Sequence, residues 1–234
     1  MLEPAIDEAR VRAQLADLYD RFIDAHASTA GPSTLVEYLR TEGFKAADSL
    51  QTLEASRIDR VMDSRRGIPI TLSIPYLMVG RALGMKTHGI NFPGHFLLSA
   101  NDELIDPLNA QVLSRADAQR WLTEANLTHM GANALATASP DDMAVRMFNN
   151  VKAIYAANGG FVEALALIDC QLPLVADPGG LHLERAELWF RLGDAATAVS
   201  LLEEAKQQLA GTRWEGEFDK RIKRFAGQPR PTIH

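Results

Sequence analysis

Two side chains in this sequence have the types and order of a proton-handling pair: His95 in PGHFLL and Asp106 in LIDPLN, read as lying on neighbouring strands. Ahead of them runs RRGIPITLSIPYLMVGRALGM, Arg65 to Met85, which reads as an apolar helix. The order helix, His, Asp suits nucleophilic catalysis. A thiol at the helix N-terminus is acidified by the macrodipole and an imidazolium, and the carboxylate orients the imidazole. That chemistry requires all three groups, and the helix holds no cysteine. Cys170 is the chain's single cysteine, and its apolar helix position in ALALIDCQL marks it as a buried, inert core thiol rather than a relocated nucleophile. Thr71 and Ser73 carry hydroxyls nearby. A hydroxyl needs a base within hydrogen-bond reach, and residues two apart on a helix point about 200° apart, so Thr71 is a weak substitute. Without a nucleophile, His95 and Asp106 read first as a bond tying two strands, with ligand binding open. Arg65, Arg66 and Gly67 precede the helix N-terminus, where guanidinium groups and free N–H donors suit a carboxylate or a phosphate. Ion pairs to Asp59 or Asp63 compete for those arginines.

The elements that must position these groups follow from periodicity. Ile6, Val11, Leu15, Leu18, Phe22 and Ile23 share one face of a first helix, with Pro4 suited to its first turn. GPSTLVEYLRTEGF predicts a second helix, with Ser33 as N-cap and Gly43 as stop. A third, DSLQTLEASRIDRVMDSR, buries Leu50, Leu53, Ile58, Val61 and Met62. The apolar helix from Ile70 closes at Gly84, and Pro75 bends it or marks its first turn. KTHGINF, HFLLSA and ELID predict a small antiparallel sheet, and Ser114 caps a helix after it.

GANALATASPDD, rich in small and turn-forming residues, predicts a domain boundary near residue 140. Beyond it, positions 34 apart match: Ile154 with Leu188, Gly159 with Gly193, Ala164 with Ala198, Ile168 with Leu202. That period, with glycine between two helices, is the tetratricopeptide signature; each helix pair hides its apolar face only when the next pair stacks on it. Two such repeats and a capping helix around EGEFDKRIKRFAG are expected.

Composition narrows the function. The formal net charge of −6 gives no broad cationic surface, so no nucleic-acid partner is expected, and the basic stretch KRIKRFAGQPRP reads as a solvated face of the capping helix. The six histidines lack ligand spacing and one cysteine makes no thiolate cluster, so no metal is expected. No phosphate loop or dinucleotide fingerprint is present, so no cofactor is expected either. The absence of a signal-like apolar run or a membrane-length stretch predicts a cytoplasmic protein with no membrane span.

RRGIPITLS, RALGM, PGHFLL, IDPLN and RMFNNVKAIY, in that order, resemble the transglutaminase-like superfamily, and more closely the bacterial Sir B family of transglutaminase-like proteins with a tetratricopeptide tail. The resemblance covers nearly the whole chain. It implies an α+β, papain-like domain at 1–138 with a small antiparallel sheet, followed by an all-α helical repeat domain at 139–234. Active members of the superfamily show Gly-x-Cys about fifteen residues before the glycine of the RALG turn; here Gly67 and Ile68 are followed by Pro69, which has no nucleophilic atom. The expected function is thus a non-catalytic protein-interaction or regulatory adaptor of the bacterial cytoplasm, meeting a protein or peptide partner through its repeats. The competing expectation is a hydrolase or acyl-transfer enzyme using His95 and Asp106 with Thr71 or an activated water. A third is an anion site built from Arg65, Arg66 and His95.

Overall fold

The computed structural model describes residues 6–26 and 30–227. They form two compact units divided between Met147 and Phe148.

In the first unit, α1 (Glu8–His26) buries Val11, Leu18 and Phe22. Ile6 lies before it and is exposed, while Pro4 falls outside the described residues. Helix α2 (Pro32–Thr41) has Gly31 at its N-cap and Pro32 in its first turn, so Ser33 is not the cap. Pro32 suits that place because its missing N–H would have no helical partner there. Gly43, at φ 91°, follows the helix end as expected. The third helix is two short ones, α3 (Leu53–Ser56) and α4 (Ile58–Ser64), broken at an extended Arg57; Thr52 caps α3, and Leu50 lies outside both and is exposed. Around α4, β1 (Lys45–Ala46) and β2 (Arg66–Gly67) pair in parallel, a contact too short to leave a sequence pattern.

Helix α5 (Pro69–Ala82) is the centre of this unit. Its apolar surface is buried nearly all round, including Ile70, Leu72, Tyr76, Leu77 and Val79. Pro75 lies in its interior, where its ring nitrogen cannot donate to the carbonyl one turn back. The helix ends in a Schellman pattern: Gly84, at φ 78°, donates to the Arg81 carbonyl and Met85 to that of Gly80.

Five antiparallel strands follow: β3 (Thr87–Ile90), β4 (Leu97–Ala100), β5 (Glu103–Asp106), β6 (Gln111–Leu113) and β7 (Thr137–Ala138), in the order β6-β5-β4-β3-β7. Alternation sorts their side chains between two cores. Leu98, Ala100 and Ile105 join Leu72, Tyr76 and Leu77 of α5 and the apolar faces of α1 and α2. Ile90, Leu97, Leu104 and Leu113 join Ala118 and Leu122 of α6 (Arg115–Glu124), whose N-cap Ser114 exchanges bonds with Asp117 in a capping box. A 3₁₀ segment, Thr128–Leu135, leads to β7.

Helix α7 (Pro140–Ala157) spans the division between the units. The second unit continues with α8 (Phe161–Gln171), α9 (Gly179–Arg191), α10 (Ala195–Gln208) and α11 (Glu215–Ala226). Gly159 and Gly193 both have positive φ after a helix, and Ala164, Ala198, Ile168 and Leu202 are all fully buried. Cys170 is exposed rather than buried. Helix α8 turns Ala164, Leu165, Ile168 and Gln171 inward, and a residue two beyond Ile168 points about 200° away from it.

Candidate functional site

His95 is placed by a turn rather than by a strand. Phe92, Pro93, Gly94 and His95 form the pattern of a type II turn: proline second, Gly94 third at φ 71°, and the His95 N–H donating to the Phe92 carbonyl at 3.0 Å. The imidazole then meets Asp106 at the end of β5, Nε2 to Oδ1 at 2.9 Å. Asp106 is fully buried, and the turn after it is folded around its carboxylate. Oδ1 accepts the backbone N–H groups of Leu108 at 2.9 Å and Asn109 at 3.4 Å, and Oδ2 accepts the Asn109 side-chain amide at 2.6 Å. Burial pushes the carboxyl pKa up, but the bonds from His95, Asn109 and Leu108 more than offset it and hold the acid below its ordinary value. An ionised Asp106 is acceptor-only, so Nε2 carries the proton of the neutral imidazole and Nδ1 presents a lone pair. Among the described residues Nδ1 has no hydrogen-bond partner, and the His95 side chain retains 18% exposure.

Aromatic rings wall the pair. Trp121 of α6 meets the imidazole edge to face at 5.6 Å between centroids and Phe92 at 6.1 Å. Tyr76 of α5 is fully buried with an unpartnered hydroxyl among the described residues; burial and the Asp106 charge raise its pKa. Arg146 of α7 donates from Nη2 to the His95 carbonyl at 2.6 Å and stands over the Phe96 ring at 5.4 Å. Asn109, Trp121, Tyr76 and Arg146 received no role from the sequence, although Asn109 and Arg146 stand in two of the quoted motifs.

The other candidates are placed differently. Pro69 opens α5 at its first position. Thr71 is fully buried, its hydroxyl donating to the Ala55 carbonyl at 2.8 Å and accepting the Ile68 N–H at 3.1 Å. It fastens the N-terminus of α5, and its proton is not directed to His95. Gly67 is packed against that hydroxyl: a Cβ there would lie 2.7 Å from Thr71 Oγ1. Arg66 pairs with Asp48 at 2.6 Å. Arg65, in the left-handed region at φ 61°, stacks its guanidinium over Phe44 at 4.6 Å, and its Nη1 is buried without a partner among the described residues. Asp59 and Asp63 are taken by Arg57 and Arg10 instead. The structure thus joins His95 to Asp106 and leaves the two arginines engaged elsewhere. No group of three His, Cys, Asp or Glu side chains able to hold a metal occurs among the described residues. None of the described helices is long and apolar enough to cross a membrane.

Residues 9–149 match the family model of the transglutaminase-like superfamily. The chain is 27% identical over 224 residues to a UPF0162 protein of Pseudomonas aeruginosa, covering 88% of this chain and 82% of that one. It is 29% identical over 175 residues to a UPF0162 protein of Xylella fastidiosa, covering 67% and 59%. Mouse F-box only protein 21 is 28% identical over 147 residues, 57% of this chain and 23% of that protein. No solved structure matches significantly. A family match over residues 9–149 of 234, on a helix and sheet that join a histidine to an aspartate, means that this chain belongs to the transglutaminase-like superfamily.

Proposed function

We propose that the protein performs no thiol chemistry and acts as a protein-interaction or regulatory adaptor of Sir B type in the bacterial cytoplasm, with a first domain at 1–138 and a tetratricopeptide-like domain at 139–234 that receives a peptide or partner domain. The observation that carries this reading is the N-terminus of α5. A proline stands at its first position, and the hydroxyl in its first turn, Thr71, donates to the Ala55 carbonyl. A thiol enzyme needs an attacking atom where this chain has a pyrrolidine ring.

The repeat reading is supported by the helical unit. Gly159 and Gly193, 34 residues apart, follow α7 and α9, the first helices of the two expected pairs, with positive φ, and Ala164, Ala198, Ile168 and Leu202 are all buried, while Ile154 is less buried than Leu188. A cavity of about 380 Å³ lies between α7 and α9, lined among others by Asn149, Lys152, Glu184, Glu187, Leu188 and Arg191. Mixed charge around an apolar floor suits a peptide segment.

The competing reading, hydrolysis by a water that His95 activates, is favoured by one feature: a buried, ionised Asp106 holds the imidazole with Nδ1 free of bonds to the described residues. An acyl-reactive probe separates the two. The adaptor reading expects no labelling or ester turnover that depends on His95; labelling that disappears in His95→Ala moves the protein to the enzymes.

A further inference from the structure

Arg146 is a desolvated cation with no opposing charge. The residue is half-buried in α7, and burial alone holds its guanidinium pKa below the ordinary value, with no neighbouring carboxylate to raise it. It makes no ion pair with any described residue. Two of its five N–H groups are engaged, one on the His95 carbonyl at 2.6 Å and one, weakly, on Asn91 Oδ1 at 3.4 Å. The remaining three make no hydrogen bond to a described residue. Removing an arginine from water without an opposing charge is costly, and the partly buried Arg57 and Arg66 of this unit each have a carboxylate against them. Arg146 has Phe96 beneath it, more distant than Phe44 is from Arg65, and the half-exposed Trp121 beyond His95.

We propose that the open edge of the Arg146 guanidinium, beside the His95 turn, binds the carboxylate of a peptide, at its C-terminus or on an acidic side chain. The planar fork offers parallel donors to a carboxylate, and the partly exposed ring of Trp121, against His95, offers an apolar surface to the carbon chain that bears it. One guanidinium with no second cation joined to it balances a single negative charge, which favours a carboxylate over a dianionic phosphate. The site lies within the first unit and does not rest on the adaptor reading. A His95-dependent acyl activity would overturn that reading and leave this one standing.

The test is a titration of the full chain with N-acetylglycine, N-acetylglycinamide and inorganic phosphate at matched ionic strength, read on the His95 imidazole Cε1–H resonance. That signal is assigned by its loss in His95→Gln. A saturable shift with N-acetylglycine, and none with the uncharged amide, is expected. Arg146→Gln should weaken it about tenfold or more, as loss of a charge-assisted pair does, and Arg146→Lys by less. No saturable shift with N-acetylglycine, an equal response to the amide, or saturation by phosphate alone overturns the proposal. The wild-type titration decides even where Arg146→Gln does not fold.

Discussion

At the residue scale, the chemistry of this chain gathers on Asp106, and its bonds set a pH dependence. The carboxyl is fully buried and held below its ordinary value of 3.8. A group whose folded pKa is depressed contributes stability that is complete above its unfolded pKa and lost as pH falls through the folded one. Wild-type thermal stability should therefore fall below about pH 4 in part through Asp106. In Asp106→Asn this component should vanish, and the protein should lose about 1–3 kcal/mol at neutral pH because the amide keeps one accepting oxygen but sets an NH2 against donors where the second carboxylate oxygen had accepted. Parallel melting curves for the two proteins from neutral pH down to about pH 3 would count against this account. The pair was legible because residue type and order point one way, although His95 stands on the turn before β4 and not on a strand. Arg146 was not, since an arginine on an amphipathic helix looks like a solvated charge until the backbone carbonyl it meets is known. Cys170 shows the converse error. Apolar neighbours in the sequence suggest burial, but the inward place at that level of α8 belongs to Gln171.

Elements explain why the start of α5 is so tightly built. Ile68 N–H donates to the Thr71 hydroxyl, which itself donates to the Ala55 carbonyl of α3, so one side chain joins α3 to the N-terminus of α5. Gly67 leaves room for it: an added methyl would meet Thr71 Oγ1 at 2.7 Å and both Val61 methyls at 3.1 Å. Thr71→Val, which keeps the shape, should cost about 1 kcal/mol, and Gly67→Ala should cost more, about 1–3 kcal/mol, by forcing the hydroxyl and Val61 apart. Urea denaturation measures both, and a Thr71→Val protein as stable as wild type would show that the hydroxyl fastens nothing. Long amphipathic or apolar stretches such as α1 and α5 are readable because period and burial agree over many residues. The two-residue strands β1, β2 and β7 carry no period, and the break at Arg57 accompanies bonds that no period shows: its guanidinium binds the buried Asp59 two residues on at 2.8 Å, while the Ala55 carbonyl accepts from the distant Ile68.

Across the whole molecule, the clusters of buried apolar side chains fall on one side or the other of the division at Met147 and Phe148, which gives each unit a core of its own. A domain with its own core opens by itself. Lys152 tests this, because its almost completely buried ammonium ties three helices of the second unit: it bonds Gln171 Oε1 of α8 at 2.8 Å and Glu184 of α9, and Gln171 Nε2 continues to Asn149 at 2.8 Å. Glu184 is half-exposed and can regain water when the cation is removed, while the bond to the fully buried Gln171 is lost outright. Lys152→Ala should therefore cost about 1–3 kcal/mol, from the lost buried bond to Gln171 and some lost packing of the aliphatic stem. The loss should appear as faster amide hydrogen exchange in α8, α9 and α10, with protection in β3, β4 and β5 unchanged. Equal acceleration in the sheet would mean that the two units open together and that the division at residue 147 has no thermodynamic meaning.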